Sequence, residues 1–312
     1  MRHFALVVPA LLVLLACGDD PASTGTGGST SQGGSSTSSG AGGDGAGAGT
    51  GAGGSGQGGA AEGGSATGGS GPTGTPTVVA VGYGGRRMRS LDLGLTWSDL
   101  IEDDPNGGDD QNLLRATVYA QGLFVAAGWR IHSSPDGVTW TEHTVNGQQW
   151  CGGLDYGNGR FVCAGGCGQS LHSSDGQSWQ MGANATPNEC RHVRSVAFGN
   201  GVFVAAGDGG FVTTTTDGDS WTALVDLPIS RVRFRDGAFI GEGQSGEHMT
   251  STNGVDWANA PGAPITADFG HGYFFEGQWK GRVNRSLDGA TWDQVYDDGG
   301  NHLQAFAFGY TD

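Results

Sequence analysis

The sequence predicts an all-β protein: a six-bladed β-propeller of four-stranded antiparallel blades, preceded by a long disordered N-terminal tether. Three observations lead there. A short turn motif is stated six times, as SLDLGLTW (90–97), SPDGVTW (134–140), SSDGQSW (173–179), TTDGDSW (215–221), STNGVDW (251–257) and SLDGATW (286–292). A strand–turn–strand unit recurs between the copies, as LDYGNGRFVCAGG (154–166), VAFGNGVFVAAGD (196–208) and the looser VYAQGLFVAAG (118–128). Apolar periodicity at helical spacing is missing from residue 77 onward. The tryptophans of the turn motif recur every 35 to 43 residues, and a period of that size marks a repeat architecture. Two strands from the recurring unit and two flanking each turn motif make four short antiparallel strands per repeat, six times over, which describes a propeller.

Residues 1–17 read as a targeting segment. Arg2 and His3 form a basic start, and Phe4 to Ala16 is an apolar run of thirteen residues, too short to span a bilayer and right for a signal sequence. The run ends in LLAC, which resembles a bacterial lipobox with Cys17 as the lipidated first mature residue. A plain secretory signal with a chance cysteine is the alternative. A lipid on Cys17 implies a bacterial envelope protein whose contact with the membrane is that anchor alone. Gly18 rather than aspartate after Cys17 points to the outer membrane or cell surface.

Residues 18–76 hold 24 glycines and no Val, Ile, Leu, Met or aromatic residue. Such a stretch has too little apolar surface to offset the entropy of ordering it. It is expected to be a flexible tether with a reach of roughly 40 Å.

Residues 77–312 form the propeller. The first repeat opens on TVVAVG (77–82), which matches a second strand, and the chain ends on HLQAFAFGY (302–310), which matches a first strand lacking its partner. The C-terminal strand is therefore expected to be the innermost strand of blade one, completed by strands near 77–82, 86–91 and 95–100. Closing the ring in this way removes the exposed edges that invite aggregation.

In the turn motif, Asp-Gly supplies the positive φ of a tight turn, and the carboxylate of Asp92, Asp136, Asp175, Asp217 or Asp288 can accept backbone N–H groups two residues on. Asn253 stands at this position in one copy and keeps the acceptor without the charge, so hydrogen bonding matters there and acidity does not. Trp97, Trp140, Trp179, Trp221, Trp257 and Trp292 offer large faces to pack each hairpin down. These residues resemble the Asp-box, or BNR, repeat of sialidases, sortilin-type receptors, some glucanases and the photosystem II assembly factor family. The full pattern S-x-D-x-G-x-T-W occurs at 90–97, and the other five copies are one residue shorter. A sialidase would bring an arginine triad, a Tyr/Glu nucleophile pair and an acid–base aspartate. The Arg-Ile-Pro motif that precedes the first box in that family is missing here.

The formal charge is −16, and the first 76 residues hold one arginine and four acids, so the remainder carries −13. An acidic domain is a poor partner for nucleic acid. Cys151, Cys163, Cys167 and Cys190 are expected to pair as two disulfides in an oxidising compartment, with the connectivity open. The acidic loops 102–110 and 297–301 should meet across the ring closure, either as calcium ligands or as solvated loops. Arg115, Arg191, Arg194, Arg231 and Arg233 fall on or just before inner strands, where Asp155 and Asp268 offer partners for ion pairs between blades. No metal or cofactor motif stands out. The expected function is that of a monomeric, non-catalytic propeller that binds a protein or glycan partner or scaffolds an assembly. The alternative is an exported glycan hydrolase using inner-face acids such as Asp155 or Asp268.

Overall fold

The computed structural model describes residues 73–108, 111–262 and 267–312. The expected lipobox with Cys17, and the expected tether up to residue 72, lie outside the described residues. Among the described residues, twenty-four strands form six four-stranded antiparallel sheets. Blade two is β4 (Leu114–Ala120), β5 (Leu123–Gly128), β6 (Ile131–Ser134) and β7 (Thr141–His143). Blade three is β8 (Cys151–Gly157), β9 (Arg160–Gly165), β10 (Ser170–Ser173) and β11 (Gln180–Met181). Blade four is β12 (Val193–Gly199), β13 (Val202–Gly207), β14 (Phe211–Thr215) and β15 (Val225–Asp226). Blade five is β16 (Arg231–Arg235), β17 (Ala238–Glu242), β18 (His248–Ser251) and β19 (Ala258–Asn259). Blade six is β20 (Asp268–Gly270), β21 (Tyr273–Gln278), β22 (Arg282–Ser286) and β23 (Asp293–Tyr296). Blade one joins both ends of the domain: β1 (Thr75–Gly82), β2 (Arg87–Ser90) and β3 (Ser98–Ile101) are completed by β24 (Leu303–Thr311), in the order β24-β1-β2-β3. Its register runs from Thr75 opposite Thr311 to Val81 opposite Ala305, and the Thr77 and Thr311 hydroxyls meet at 2.8 Å inside it.

The second strand of each blade shows why the ring packs. VVAV in β1, FVAA in β5, FVCA in β9 and FVAA in β13 are buried throughout. A blade lies between two neighbours, so both faces of this strand meet protein and its pattern is continuous instead of alternating. Phe161, Val125 and Ile131 share one apolar cluster between blades two and three, and Phe203 with Val162 shares the next. The junction of blades five and six is more polar: the Arg235 guanidinium lies 4.7 Å from the Phe274 ring, and Arg233 reaches Asp268 at 3.1 Å.

The six repeat turns join the third strand to the fourth in each blade, and all six tryptophans are half-buried. The turns also join blades. A Cβ on Gly137 would stand 2.9 Å from Val79 of blade one, on Gly176 3.0 Å from Val125 of blade two, and on Gly254 2.4 Å from Val204 of blade four. Each of these glycines thus lets its turn sit directly on the second strand of the preceding blade. On the same face, Asn158 donates to Gly201 and Thr216 of the next blade, both at 2.9 Å. Asn200 repeats the bond one blade on, to Gly237 and Thr252. Among the described residues no helix is long and apolar enough to cross a membrane.

Candidate functional site: the channel mouth

The opposite face is built from the loops that lead into the inner strands and the turns between second and third strands. Here four inner strands share an irregularity. The register skips Arg115 at the head of β4, Gly152 in β8, Arg194 in β12 and Gln304 in β24. A bulge re-aims the side chain at which it occurs, and all four of these residues line one cavity of about 560 Å³ at the channel mouth. Arg231 and Arg233 of β16 complete a lining with four guanidinium groups, beside Asp208 and Glu242. An acidic protein therefore keeps a local concentration of positive charge at its centre.

Packing holds these arginines in place. The guanidinium groups of Arg115 and Arg194 lie 4.7 and 4.9 Å from the Trp150 ring, and His192 stands 5.2 Å from the same ring. Cation–π contact of this kind favours arginine, whose planar head stacks. Arg194 also donates twice to Asp208, at 2.8 and 2.7 Å. Those bonds hold the Asp208 carboxyl below its ordinary range. Arg191 pairs with Asp226 at 2.7 Å, within blade four. Arg231 is exposed at the rim.

Further along the inner strands, Asp155 and Asp268 each accept a backbone N–H of the next blade. Asp155 accepts the N–H groups of Tyr156 at 2.8 Å and of Phe198, in the next inner strand, at 2.7 Å. Asp268 accepts Phe306 N–H at 2.9 Å and the Arg233 Nε at 3.1 Å. Burial pushes the Asp155 carboxyl up to about 6, against the pull of its two N–H donors and Arg233. Asp155 is only partly exposed, and the surrounding protein displaces most of the bulk water that would stabilise its charge.

The acidic loops do meet across the closure. Asn301 Nδ2 donates to the Asp104 carbonyl at 3.0 Å. Between the loops lies Arg86, fully buried, which pairs with Asp298, approaches Glu102 at 3.6 Å and donates to the Asn301 carbonyl at 3.3 Å. Arg87 pairs with Asp103 at 2.5 Å. Arginine thus fills the space between these carboxylates; Asp109 and Asp110 lie outside the described residues. Sequence reading missed Arg86, since a basic pair at the start of a strand looks like an ordinary solvated face.

The cysteines pair as Cys151–Cys163 and Cys167–Cys190. The first ties β8 to β9 in the core. The second runs from the turn after β9 to the loop before β12, and so links blade three to blade four. Cys167, Cys190 and His192 place ligand atoms within 4.8 Å of one another. Both sulfurs are spent on the disulfide, and His192 Nδ1 accepts the Cys167 N–H at 2.9 Å.

The repeat-turn residues lie on the far face, away from the mouth. Asp136 accepts N–H from Val138 at 2.8 Å and Thr139 at 2.7 Å, and Asp175 and Asp288 make the same pair of bonds. Asp217 accepts from Asp219 and Ser220, and Asp92 from Thr96. Asn253 accepts from Val255 and Asp256, both at 2.9 Å. The indole N–H of Trp97, Trp140, Trp179 and Trp257 returns to the turn's own glycine carbonyl, whereas Trp221 donates to Ser170 Oγ of blade three at 3.3 Å.

No family model matches the chain, and no curated protein matches it. Solved structures do. A chain of the nidogen–laminin complex aligns at 10% identity over 75% of this chain and 98% of that one, with a TM-score of 0.53. YCF48 bound to a D1 peptide aligns at 18% identity over 71% of this chain and 81% of that one, with a TM-score of 0.43. YCF48 from Cyanidioschyzon merolae aligns at 16% identity over 74% and 89%, with a TM-score of 0.42. Identities this low speak to fold alone.

Proposed function

We propose that this chain is an envelope-anchored, non-catalytic propeller of the Asp-box type that holds an anionic group of a protein or glycan partner over its channel mouth. The observation that carries this reading is the cavity lined by Arg115, Arg194, Arg231 and Arg233 in a chain of net charge −16. Stacking on Trp150 fixes two of these heads in advance, which lowers the entropy lost when a ligand binds. The nidogen–laminin structure is a complex between proteins, the use of the fold that this reading extends here. The lipid on Cys17 and the tether would hold the mouth clear of an outer membrane or cell surface.

The test is binding of polyglutamate, a carboxylate polymer, measured by titration calorimetry at low and high salt. Salt-sensitive binding that falls at least tenfold in Arg231→Ala is expected; polylysine should not bind. Equal binding by Arg231→Ala and the parent protein would sink the proposal.

A glycan hydrolase is the second reading, favoured by the surroundings of Asp155: burial pushes its carboxyl up to about 6, which suits a general acid. Both Asp155 oxygens are already used by backbone N–H groups. Turnover of a sialoside or glucan that Asp155→Asn or Asp268→Asn abolishes would establish this reading in place of the first.

A further inference from the structure

The turn between second and third strands projects from the mouth face in every blade, and its content divides the ring in two. In blades six, one and two these turns carry Trp279, Tyr83 and Trp129; in blades three, four and five they are 166–169, 208–210 and 243–247, without an aromatic residue. Three consecutive blades therefore hold an arc of rings along one half of the rim. Trp279 is 64% exposed and Trp129 38%, the only aromatic residues among the large exposed apolar side chains of the described residues. Leaving such rings in water is unfavourable, which gives them reason to be covered by a ligand.

Trp279 is held firmly. Its indole stacks on the His302 ring, with centroids 4.7 Å apart and planes 28° apart. Tyr83 meets it edge-on at 5.3 Å and lies 5.2 Å from His302. One indole face is thus occupied by His302. Beside it, Lys280 adopts φ 64°, a left-handed conformation that Gly84 supplies at the equivalent point of blade one with φ 66°. Cys167 adopts it too, with φ 46°, in the turn of blade three, so the conformation belongs to the turn itself. In blade two, Gln148 Nε2 donates to the Trp129 carbonyl at 3.2 Å and pins that turn.

We infer that this arc is a carbohydrate site, in which Trp279 and Trp129 offer their exposed indoles to the apolar faces of pyranose rings in one extended glycan, with Tyr83 bracing Trp279 edge-on. The inference deepens the ligand-binding reading given above and rests on it. A pyranose presents a flat C–H face rimmed by hydroxyl groups, and the surroundings match that chemistry. Gln278 and Lys280 flank Trp279 in the chain, and Gln304 Nε2 lies 3.1 Å from His302 Nδ1 while also lining the mouth. A protein interface buries a contiguous apolar core in which such aromatic residues are packed round by other apolar groups. Among the described residues the exposed aliphatic side chains Leu91, Leu95, Val255 and Leu287 are in the repeat turns, on the opposite face, and Leu100, Met181 and Val225 are in the outer strands β3, β11 and β15, so none stands in the turns that carry the rings.

The experiment titrates the purified full-length chain, in detergent micelles, with cellohexaose, chitohexaose and polygalacturonate, reading both heat and tryptophan fluorescence. At least one of these glycans should bind and change the fluorescence. Trp279→Ala and Trp129→Ala should each weaken binding about tenfold, and Trp279→Phe should restore part of the loss. Trp279 is the more exposed of the two and Trp279→Phe keeps a ring on His302, so the melting temperature of that variant should match the parent's. Failure of all three glycans to bind, or binding untouched by both alanine variants, overturns the inference. Polyglutamate binding that survives both tryptophan changes but falls in Arg231→Ala, with no glycan bound, would also overturn it and leave the anion-holding mouth intact.

Discussion

At the scale of single residues, the repeat turns and the channel use the same side chain for opposite electrostatic ends. Asp175 stands in water and takes two backbone N–H bonds, which hold its carboxyl near 2; Asp155 takes two such bonds between the inner strands of blades three and four, and burial still carries it to about 6. Asn253 shows in the same molecule what the turn requires, because its amide oxygen accepts the same two N–H groups. Asp175→Asn should accordingly change stability at pH 7 by less than about 1 kcal/mol, and Asp175→Ala should cost roughly 1–2 kcal/mol, read from urea midpoints. For Asp175 the folded carboxyl lies below its unfolded value near 4, so its stabilisation is present above about pH 4 and fades as pH falls towards 2. Asp155 has the other sign. Between about pH 4 and 6 the folded protein keeps a proton that the unfolded chain has released, so this group makes the protein more stable as pH falls through that window. Its contribution, at most about 3 kcal/mol, should vanish in Asp155→Asn. The difference in unfolding free energy between variant and parent should then vary across pH 4–6 and level off above it. A difference that stays flat throughout would show that Asp155 titrates normally.

At the scale of elements, the glycines of the repeat turns have a second task beyond positive φ. A Cβ at Gly254 meets Val204 at 2.4 Å, whereas one at Gly201 meets nothing within 4 Å, although both residues have positive φ, 75° and 83°. Gly201→Ala should cost about 1 kcal/mol from backbone strain alone. Gly254→Ala adds a contact against a buried second strand, and should cost 1–3 kcal/mol more, measured by thermal unfolding. Much of this level was legible in the sequence. The Asn-Gly pairs at 158–159 and 200–201 announce their hairpins, and the F-V-A-A-G runs announce strands buried on both faces. The mouth was not legible in the same way. Arg115, Arg194 and Gln304 reach the cavity at bulges, where one residue drops out of the register. Strict alternation along a strand assigns faces by parity, and a bulge breaks parity without leaving a mark in composition. Trp150 was missed for a related reason: it lies in a loop, and its role emerges once two arginines from blades two and four converge on it. The aromatic arc was within reach, because aligning the second-to-third-strand turns of the repeats places Trp279, Tyr83 and Trp129 together.

At the scale of the whole molecule, the structure is one ring, and what closes it is the last strand. Both ends of the domain were readable as a matching pair, since an unpartnered first strand at the C-terminus completes a blade that opens on its second. The structure adds how much rests on that strand. β24 covers β1 over its full length; Phe306 packs in the cluster shared with blade six, and Ala305 and Ala307 pack in the one shared with blade two. Its backbone also receives Asp268 from blade six at Phe306 N–H and the Tyr119 hydroxyl from blade two at the Tyr310 carbonyl, 2.8 Å away. Removing residues 303–312 would therefore expose the fully buried Val78, Val79, Ala80 and Val81 along an open strand edge, and break two blade interfaces at once. A shortened chain should lose the cooperative unfolding transition of the whole ring, bind a hydrophobic dye, and self-associate. Adding the missing strand back as a synthetic peptide should restore the transition, because the rest of blade one already presents its partner register. A truncated chain that unfolds with the parent's midpoint and cooperativity would show that the ring is held by the blade interfaces alone, with no need of the closing strand.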